Sequence, residues 1–326
     1  MPQIVTPGPM RAQITDLRPN SVEQRLGPDL AVLRRQRERG EIPGAARFRF
    51  PLQQLEPIFH GASHLLGLVG LLPWLCDRAL SLEFRDRVLT VGARAESLCN
   101  LSVLHLSDLH IDAWPGQGER LASVLRPWAG SYDLVAMTGD FRFDVKGSID
   151  AAVENLAIVV AALQPKIGCY AVLGNHDPLD IVLPLEELGV RVLLNEGELI
   201  THDSGQFWLA GVDDPHWFGT DDLETALAAA PVEIPRILLA HSPELAFEAA
   251  AQGVDLYLCG HTHGGQVCLP GGFPLLKNCR SPRAQIRDHW QLDGMVGYTS
   301  RGTGFSGLPL RSFCRGEVSR HRIVTG

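Results

Sequence analysis

Seven side chains that can bind metal ions occur in five short clusters along this chain. The clusters read Asp108-Leu109-His110, Gly139-Asp140, Gly174-Asn175-His176-Asp177, His241, and Gly260-His261-Thr262-His263-Gly264-Gly265-Gln266. They offer carboxylate, imidazole and amide groups without a thiolate, which suits Mn, Fe, Co, Ni or Zn in an open catalytic site better than a closed structural zinc site. The residue types therefore indicate metal-assisted chemistry.

Each cluster follows a short, mostly apolar run of the kind that forms a buried strand. The runs cover residues 101–106, 134–137, 170–173, 237–240 and 254–259. In Asp108-Leu109-His110 and His261-Thr262-His263 the ligands are two residues apart, and in extended chain such side chains can turn toward one point, whereas on a helix they would diverge. Because functional crevices of open α/β sheets lie at the carboxyl ends of the strands, we expect the clusters to meet there.

The order of these motifs resembles that of the calcineurin-like metallophosphoesterases, from about Leu101 to the C-terminus. Within that superfamily, the segments Gly260–Gln266 and Ser300–Arg311 resemble a bacterial phosphodiesterase branch that includes UDP-2,3-diacylglucosamine pyrophosphatases. The resemblance implies an α/β fold in which two mixed β-sheets pack as a sandwich flanked by helices.

The resemblance also implies two divalent metal ions, with Mn as the first choice and Zn, Fe, Co or Ni as alternatives. One ion would be held by Asp108, His110 and His263, the other by Asn175, His241 and His261, with Asp140 bridging the two. Two such ions can clamp a phosphoryl group and activate a water molecule.

Three further residues have expected roles beside the metals. His176 is the candidate to contact a phosphoryl oxygen or to protonate the leaving group, and Asp177 is the candidate to orient its imidazole. Related sequences usually carry an acidic residue three positions after the bridging Asp, but Phe143 stands there in this chain. Arg142 could bind substrate phosphate through its guanidinium, or it could be an ordinary loop arginine.

Composition indicates a globular protein with one sizeable domain and an extension, since the chain has 326 residues of which 45% are hydrophobic and 20% charged. Its seven cysteines form no C-x-x-C pair, and no apolar signal region appears in the first 28 residues, so we expect a cytoplasmic protein. The first 98 residues carry a net charge of +3 and the remainder −11. The sequence shows no basic stripe of the kind that binds nucleic acid. The resemblance implies a phosphate-containing small molecule or a lipid-linked substrate as the partner.

We expect three regions: a poorly ordered arm at residues 1–28, a helical and partly apolar extension at 29–79, and the catalytic domain at 80–326. The apolar stretch from Ile58 to Leu82 is short for a membrane span, which needs about 20 apolar residues. It either packs on the catalytic domain or contacts the headgroup region on the cytoplasmic face of a membrane.

The leading functional hypothesis is a dinuclear metal-dependent phosphohydrolase that cleaves a phosphodiester or pyrophosphate bond, with a lipid-linked nucleotide such as UDP-2,3-diacylglucosamine as substrate. One alternative is a soluble phosphodiesterase of broad specificity that acts on small nucleotides. Another is a non-catalytic metal-binding scaffold with a degenerate site, for which the altered residues after Asp140 are the supporting feature.

Overall fold

Two six-stranded mixed sheets form the centre of the computed structural model, which describes residues 21–45 and 56–326. In spatial order the first sheet contains β1 (Glu83–Val91), β14 (Glu317–Thr325), β2 (Ser102–Leu106), β3 (Leu134–Thr138), β4 (Gly168–Val172) and β5 (Val190–Val192). Strands β2 to β5 run parallel, while β14 is antiparallel to β2 and parallel to β1.

The second sheet also has a parallel centre, but both of its edge strands are antiparallel to their neighbours. In spatial order it contains β12 (Asp288–Leu292), β13 (Met295–Thr299), β9 (Leu256–Cys259), β8 (Arg236–Leu239), β7 (Gly205–Gly211) and β6 (Glu196–His202). The strands β13, β9, β8 and β7 are parallel, and β12 and β6 pair antiparallel at the two edges. A short hairpin of β10 (Cys268–Leu269) and β11 (Phe273–Pro274) lies outside both sheets.

Alternate side chains of the central strands enter two different hydrophobic cores, because successive residues of a strand point to opposite faces. In β2, Val103 joins the core between the two sheets, whereas Leu104 and Leu106 join the core under the outer helices. A third core lies on the outer face of the second sheet around Ala246 and Trp290. The layers are therefore helix, sheet, sheet and helix, in agreement with the expected sandwich.

The helices lie in the N-terminal region and in the connections between strands. They are α1 (Val22–Leu26), α2 (Pro28–Glu38), α3 (Glu56–Leu68), α4 (Leu72–Ala79), α5 (Gln117–Leu125), α6 (Asp150–Ala161), α7 (Val182–Glu187), α8 (Leu223–Leu227) and α9 (Ala246–Ala251). Helices α5 and α6 pack on the first sheet through Leu121 and Leu156, and α8 and α9 cover the second sheet.

The N-terminal region differs in part from the expectation of a poorly ordered arm. Residues 1–20 lie outside the described part of the chain, but residues 22–26 form α1, whose Val22 and Leu26 are buried in the core under the outer helices. Arg25 anchors this helix through a 3.0 Å ion pair with Glu186 and a 3.1 Å pair with Glu196. Buried apolar contacts and these ion pairs give the short helix an ordered position.

The apolar stretch from Ile58 to Leu82 divides into two helices with different surroundings. The end of α4 packs inward, with Cys76, Ala79 and Leu80 buried beside Phe305. Helix α3 instead leaves several apolar side chains in solvent, among them Ile58, Leu65 and Leu68, and Leu68 is 71% exposed. Within the described residues no helix has the length and apolarity needed to cross a membrane.

Buried His105 makes stability depend on pH. Its Nε2 lies 2.9 Å from Thr138 Oγ1, and burial lowers the pKa of His105 to about 3. The unfolded chain binds a proton here below pH 6.5 and the folded chain does not, so this group removes stability as the pH falls from 6.5 toward 3.

We expect His105→Gln to reduce the pH dependence of the free energy of unfolding by about 1.4 kcal/mol per pH unit between pH 6 and 4. Urea unfolding of the metal-stripped protein measures this slope. His289→Gln changes an exposed histidine and should keep the parent slope. Equal slopes for His105→Gln and the parent protein would contradict the assignment.

Candidate metal centre

The ligand clusters follow the carboxyl ends of parallel strands from both sheets. Strands β2, β3, β8 and β9 each deliver a ligand two residues after the last strand residue, namely Asp108, Asp140, His241 and His261. Strand β4 delivers Asn175 three residues after its end. Because the two sheets present these ends at one edge of the sandwich, residues far apart in the sequence meet there.

Asp108, His110 and His263 form the first half of the centre. Their ligand atoms lie within 4.8 Å of one another. The Nε2 atoms of His110 and His263 are 3.3 Å apart, and His263 Nε2 is 3.5 Å from Asp108 Oδ1. All three side chains are buried, so this group is shielded from bulk water.

Asp140, His241 and His261 form the second half, again with ligand atoms within 4.8 Å of one another. His241 Nε2 is 3.3 Å from Asp140 Oδ2 and 3.2 Å from His261 Nδ1. Asn175 joins this half because its Oδ1 lies 3.1 Å from His241 Nε2. Asp140 Oδ2 is also 3.7 Å from His110 Nε2, so this carboxylate lies between the two halves.

The imidazole rings are oriented by backbone carbonyls. His110 Nδ1 donates to the Arg142 carbonyl at 2.8 Å, His241 Nδ1 donates to the Thr138 carbonyl at 2.7 Å, and His261 Nε2 donates to the Asn278 carbonyl at 2.7 Å. In a neutral imidazole the nitrogen that donates carries the proton, and the other nitrogen carries the lone pair. In these three rings the other nitrogen faces the centre. Imidazole nitrogens together with carboxylate and amide oxygens are ligands that divalent transition metals accept, so the donor set fits such ions.

Burial and neighbouring charge bring His110 and Asp140 to the protonation states that metal binding requires, whereas in the metal-free centre the burial of His241 is outweighed by the carboxylates of Asp140 and Asp108, which raise its pKa to about 10. Burial, reinforced by repulsion from His176, lowers the pKa of His110 to about 3, so its imidazole is neutral. Burial raises the pKa of Asp140, but the nearby His241 and His176 outweigh it and hold this pKa well below its usual value. Neutral imidazole and ionised carboxylate are the forms that bind metals.

The backbone at the centre adopts a conformation that side chains other than glycine rarely take. Five of the candidate ligands have positive φ, namely Asp108 (49°), His110 (39°), Asp140 (55°), His261 (70°) and His263 (49°). Such residues cost about 1–3 kcal/mol each and persist only where surrounding structure holds them. This strain turns the side chains sharply off the strand ends toward one another.

Glycines allow the loops to approach each other closely. A Cβ atom added at Gly174 would lie 2.3 Å from Asp140 Oδ1 and 2.8 Å from His241 Cε1. One added at Gly260 would lie 2.4 Å from Asp108 Oδ2. These two positions therefore require glycine for reasons of space.

Asp177 has other partners than those expected from the sequence. Its carboxylate accepts N–H groups from Asp140 at 2.7 Å, Gly174 at 2.8 Å and Phe141 at 2.8 Å. The ring of His176 is held instead through Nδ1, which donates to the Phe143 carbonyl. Asp177 thus connects the loop after β3 to the loop after β4. These three hydrogen bonds go to backbone N–H groups and not to the imidazole of His176.

Arg142 also has structural partners. Its Nε donates to the His176 carbonyl at 2.8 Å and its Nη1 to the Gly147 carbonyl at 2.9 Å. The side chain is buried, so Arg142 is not the ordinary, exposed loop arginine that the sequence offered as the alternative to a phosphate-binding residue. These two hydrogen bonds stabilise the loop that carries His176. Both acceptors are backbone carbonyls, so neither bond pairs the guanidinium with a carboxylate.

Two arginines that support the centre were not predicted as functional residues, although Arg311 ends the segment that resembles the bacterial branch. Arg34 of α2 is fully buried, donates to the Asp177 carbonyl at 2.7 Å and pairs with Asp213 at 3.0 Å. Arg311 donates to the Gly304 carbonyl at 2.6 Å, with the same nitrogen 3.2 Å from His263 Nδ1. Arg34 lies within an ordinary basic helix pattern, and its tertiary partners are more than 140 residues away in the sequence.

An α/β sandwich with seven buried candidate ligands at its strand ends is the arrangement expected of a metal-dependent hydrolase. A family model described as calcineurin-like phosphoesterase matches residues 101–265 of this chain. The chain belongs to this family, and it is accordingly a metal-dependent hydrolase of phosphoric ester bonds.

Individual relatives agree with this assignment. The uncharacterized metallophosphoesterase YkoQ of Bacillus subtilis is 31% identical over 233 residues, which cover 68% of this chain and 83% of YkoQ. The phosphodiesterase YaeI of Escherichia coli is 30% identical over 236 residues, which cover 68% of this chain and 82% of YaeI. A transmembrane protein with metallophosphoesterase domain from Danio rerio is 30% identical, and the match spans 72% of this chain but only 55% of that relative.

We expect Gly174→Ala to reduce metal-dependent phosphodiesterase activity by at least about 100-fold, because misplacing catalytic groups by about 1 Å can have this effect. Metal content, measured by mass spectrometry, should fall with it because the added methyl group displaces Asp140. Gly92→Ala is the matched control, since a Cβ atom there meets nothing within 4 Å. Full activity and full metal content in Gly174→Ala would contradict the geometry described.

Proposed function

We propose that this phosphoesterase uses two metal ions to cleave a phosphodiester or pyrophosphate bond in a lipid-linked nucleotide such as UDP-2,3-diacylglucosamine. The observation that carries the proposal is the convergence of both ligand groups on Asp140. The resemblance to the bacterial branch motivates the particular substrate, and the surroundings of the centre support its amphiphilic character.

In this proposal the first metal is bound by Asp108, His110 and His263. The second is bound by Asn175, His241 and His261, with Asp140 shared by both. When bound, a pair of divalent cations supplies Lewis acidity, an activated water and charge stabilisation for in-line displacement. Mn is our first choice, and Zn, Fe, Co and Ni remain alternatives because the ligand types suit all of them.

His176 lies within metal-ligand distance of His110 and Asp140, and we assign it a role on the substrate because it is the more exposed member of that cluster. Its Nε2 is 3.9 Å from Asp140 Oδ2, while Nδ1 donates to the Phe143 carbonyl. The side chain is partly exposed, and it lines a cleft that leads to the centre. In its protonated form His176 can donate from Nε2 to a phosphoryl or departing oxygen, which is the role we assign to it.

An apolar cleft beside His176 and His261 supports a substrate with an apolar portion. Phe59, Phe143, Leu276 and Leu308 contribute to its lining, together with Leu310. Phe59 belongs to α3, so the N-terminal extension supplies part of the wall next to the centre. Acyl chains of a lipid-linked substrate could be accommodated here because the lining offers them burial from water.

The exposed apolar residues of α3 and α4 support peripheral contact with the cytoplasmic face of a membrane through the stretch from Ile58 to Leu82. Leu65, Leu68 and Val69 are exposed, and Trp74 is 57% exposed with the Arg78 guanidinium 5.0 Å from its ring centroid. Interfacial helices combine apolar, aromatic and basic residues in this way. The opening of the apolar cleft would then lie beside the lipid that supplies the substrate.

A phosphodiesterase acting on small nucleotides is the second candidate. The similarity to the relative named phosphodiesterase YaeI favours diester cleavage without requiring a lipid. A non-catalytic scaffold is less well supported, because the ligand residues and His176 occur together around the same centre.

We expect His176→Ala to lower kcat for bis-p-nitrophenyl phosphate by about 10²–10⁴-fold, the usual contribution of a general acid or base. Its metal content should stay at the parent level, which separates this role from that of a ligand. His289→Ala, an exposed histidine on β12, is the control and should keep the parent rate. A His176→Ala variant as fast as the parent protein would remove the catalytic assignment.

The substrate proposal is tested by restoring Mn, Zn or Mg to the metal-stripped protein and measuring hydrolysis of UDP-2,3-diacylglucosamine and bis-p-nitrophenyl phosphate, with and without detergent. We expect metal-dependent cleavage of both, and its loss in Asp140→Ala. Cleavage of only the generic diester would discard the lipid substrate and favour the second candidate. Metal-independent hydrolysis, or hydrolysis that survives Asp140→Ala, would overturn the two-metal proposal itself.

A further inference from the structure

A second cleft also reaches Asn175 and His176, and its lining contains many more charged side chains than that of the first. Helix α2 contributes Arg37 and, at its C-terminal cap, Arg39, and the loop after β3 contributes Lys146. Both clefts share Asn175 and His176, so the candidate metal centre lies where they join. Because the two linings differ in chemistry, a substrate that occupied both clefts would need two chemically different portions.

The acidic residues of this second cleft are already engaged. Glu23, Glu38 and Asp180 all pair with Arg35, at 2.9, 3.1 and 2.8 Å. Asp177 is buried and accepts backbone N–H groups of the metal loops. The negative charges are therefore held either by one arginine or by the protein backbone.

Among the ion pairs of the described residues, none joins a carboxylate of this cleft to its other cationic side chains. Arg37 donates from Nε to the Pro43 carbonyl at 3.3 Å and from Nη1 to the Phe218 carbonyl. Arg142 likewise donates to two carbonyls, and Lys146 is exposed. Arg39 is exposed and pairs with Glu41 at 3.6 Å at the surface. Carbonyl partners orient a guanidinium without neutralising it, so the cleft retains a surplus of positive charge.

We propose that this cleft, called the cationic cleft, binds a second anionic group of the substrate, namely the second phosphate of a pyrophosphate ester. The inference rests on the proposed function, because the first phosphoryl group must lie at the metal centre. The substrate would then span the junction, with its apolar portion in the first cleft and its second phosphate near Lys146 and Arg39. An ester with one phosphate would leave the cationic cleft without an anion.

The test compares Lys146→Gln and the double variant Lys146→Gln/Arg39→Gln with the parent protein. The substrates are bis-p-nitrophenyl phosphate, which carries one negative charge, and UDP-N-acetylglucosamine, whose pyrophosphate carries two. A UDP-sugar that is not cleaved is measured as a competitive inhibitor of bis-p-nitrophenyl phosphate hydrolysis. Lys166→Gln is the control, because Lys166 pairs with Asp133 and lies outside the lining of both clefts.

For Lys146→Gln we expect the KM or Ki of the UDP-sugar to rise about fivefold relative to the KM of the diester, the size of one exposed charge contact. The double variant should show a larger ratio, and added salt should reduce the difference by screening. An equal change for both ligands, or no change for either, overturns the cationic cleft. These outcomes are distinct from failure of the proposed function, in which bis-p-nitrophenyl phosphate would not be hydrolysed in a metal-dependent and Asp140-dependent manner.

Discussion

The meeting of parallel strand ends from two different sheets is the constraint on which the rest of this structure depends. Ligands that follow β2, β3 and β4 must face ligands that follow β8 and β9 across the top of the shared core. Short loops can bring them together only if the chain turns sharply, which explains the positive φ at Asp108, Asp140 and His261. It also explains the lack of room for a Cβ atom at Gly174 and Gly260. Backbone strain of this kind is maintained by surrounding hydrogen bonds and accompanies function in many proteins.

Local patterns in the sequence were sufficient to predict the convergence of the ligand clusters, whereas the sandwich of two sheets was predicted from the resemblance to a known family. Apolar runs mark buried strands, and a polar ligand just after each run marks the functional edge. The sequence was not sufficient for the supporting contacts. Asp177 was expected to orient His176, but it joins two loops through three backbone N–H groups, and those bonds depend on the register of neighbouring loops. The role of Arg34 was missed because its burial results from docking of α2, which no local pattern of residues reports.

The N-terminal extension contributes to the surroundings of the centre in two distinct ways. Helix α2 lies on one approach, where Arg34 contacts the Asp177 carbonyl and Arg37 lines the cationic cleft. Helix α3 lies on the other approach and places Phe59 in the wall of the apolar cleft. The family model begins at residue 101, after both helices, so these contacts lie outside the part of the chain that it matches. Substrate preference within a shared chemistry can arise from such additions, because function depends on the site and not on the fold alone.

The central claim is that Asp140 is shared by two metal ions, and metal stoichiometry tests it most directly. The metal-stripped protein would be equilibrated with Mn, freed of excess metal by gel filtration and analysed by inductively coupled plasma mass spectrometry, with electron paramagnetic resonance to detect coupling between neighbouring ions. The account predicts two Mn per chain with a spin-coupled signal, and loss of that coupling in Asp140→Asn. One uncoupled Mn per chain, or two Mn whose coupling persists in Asp140→Asn, would contradict it.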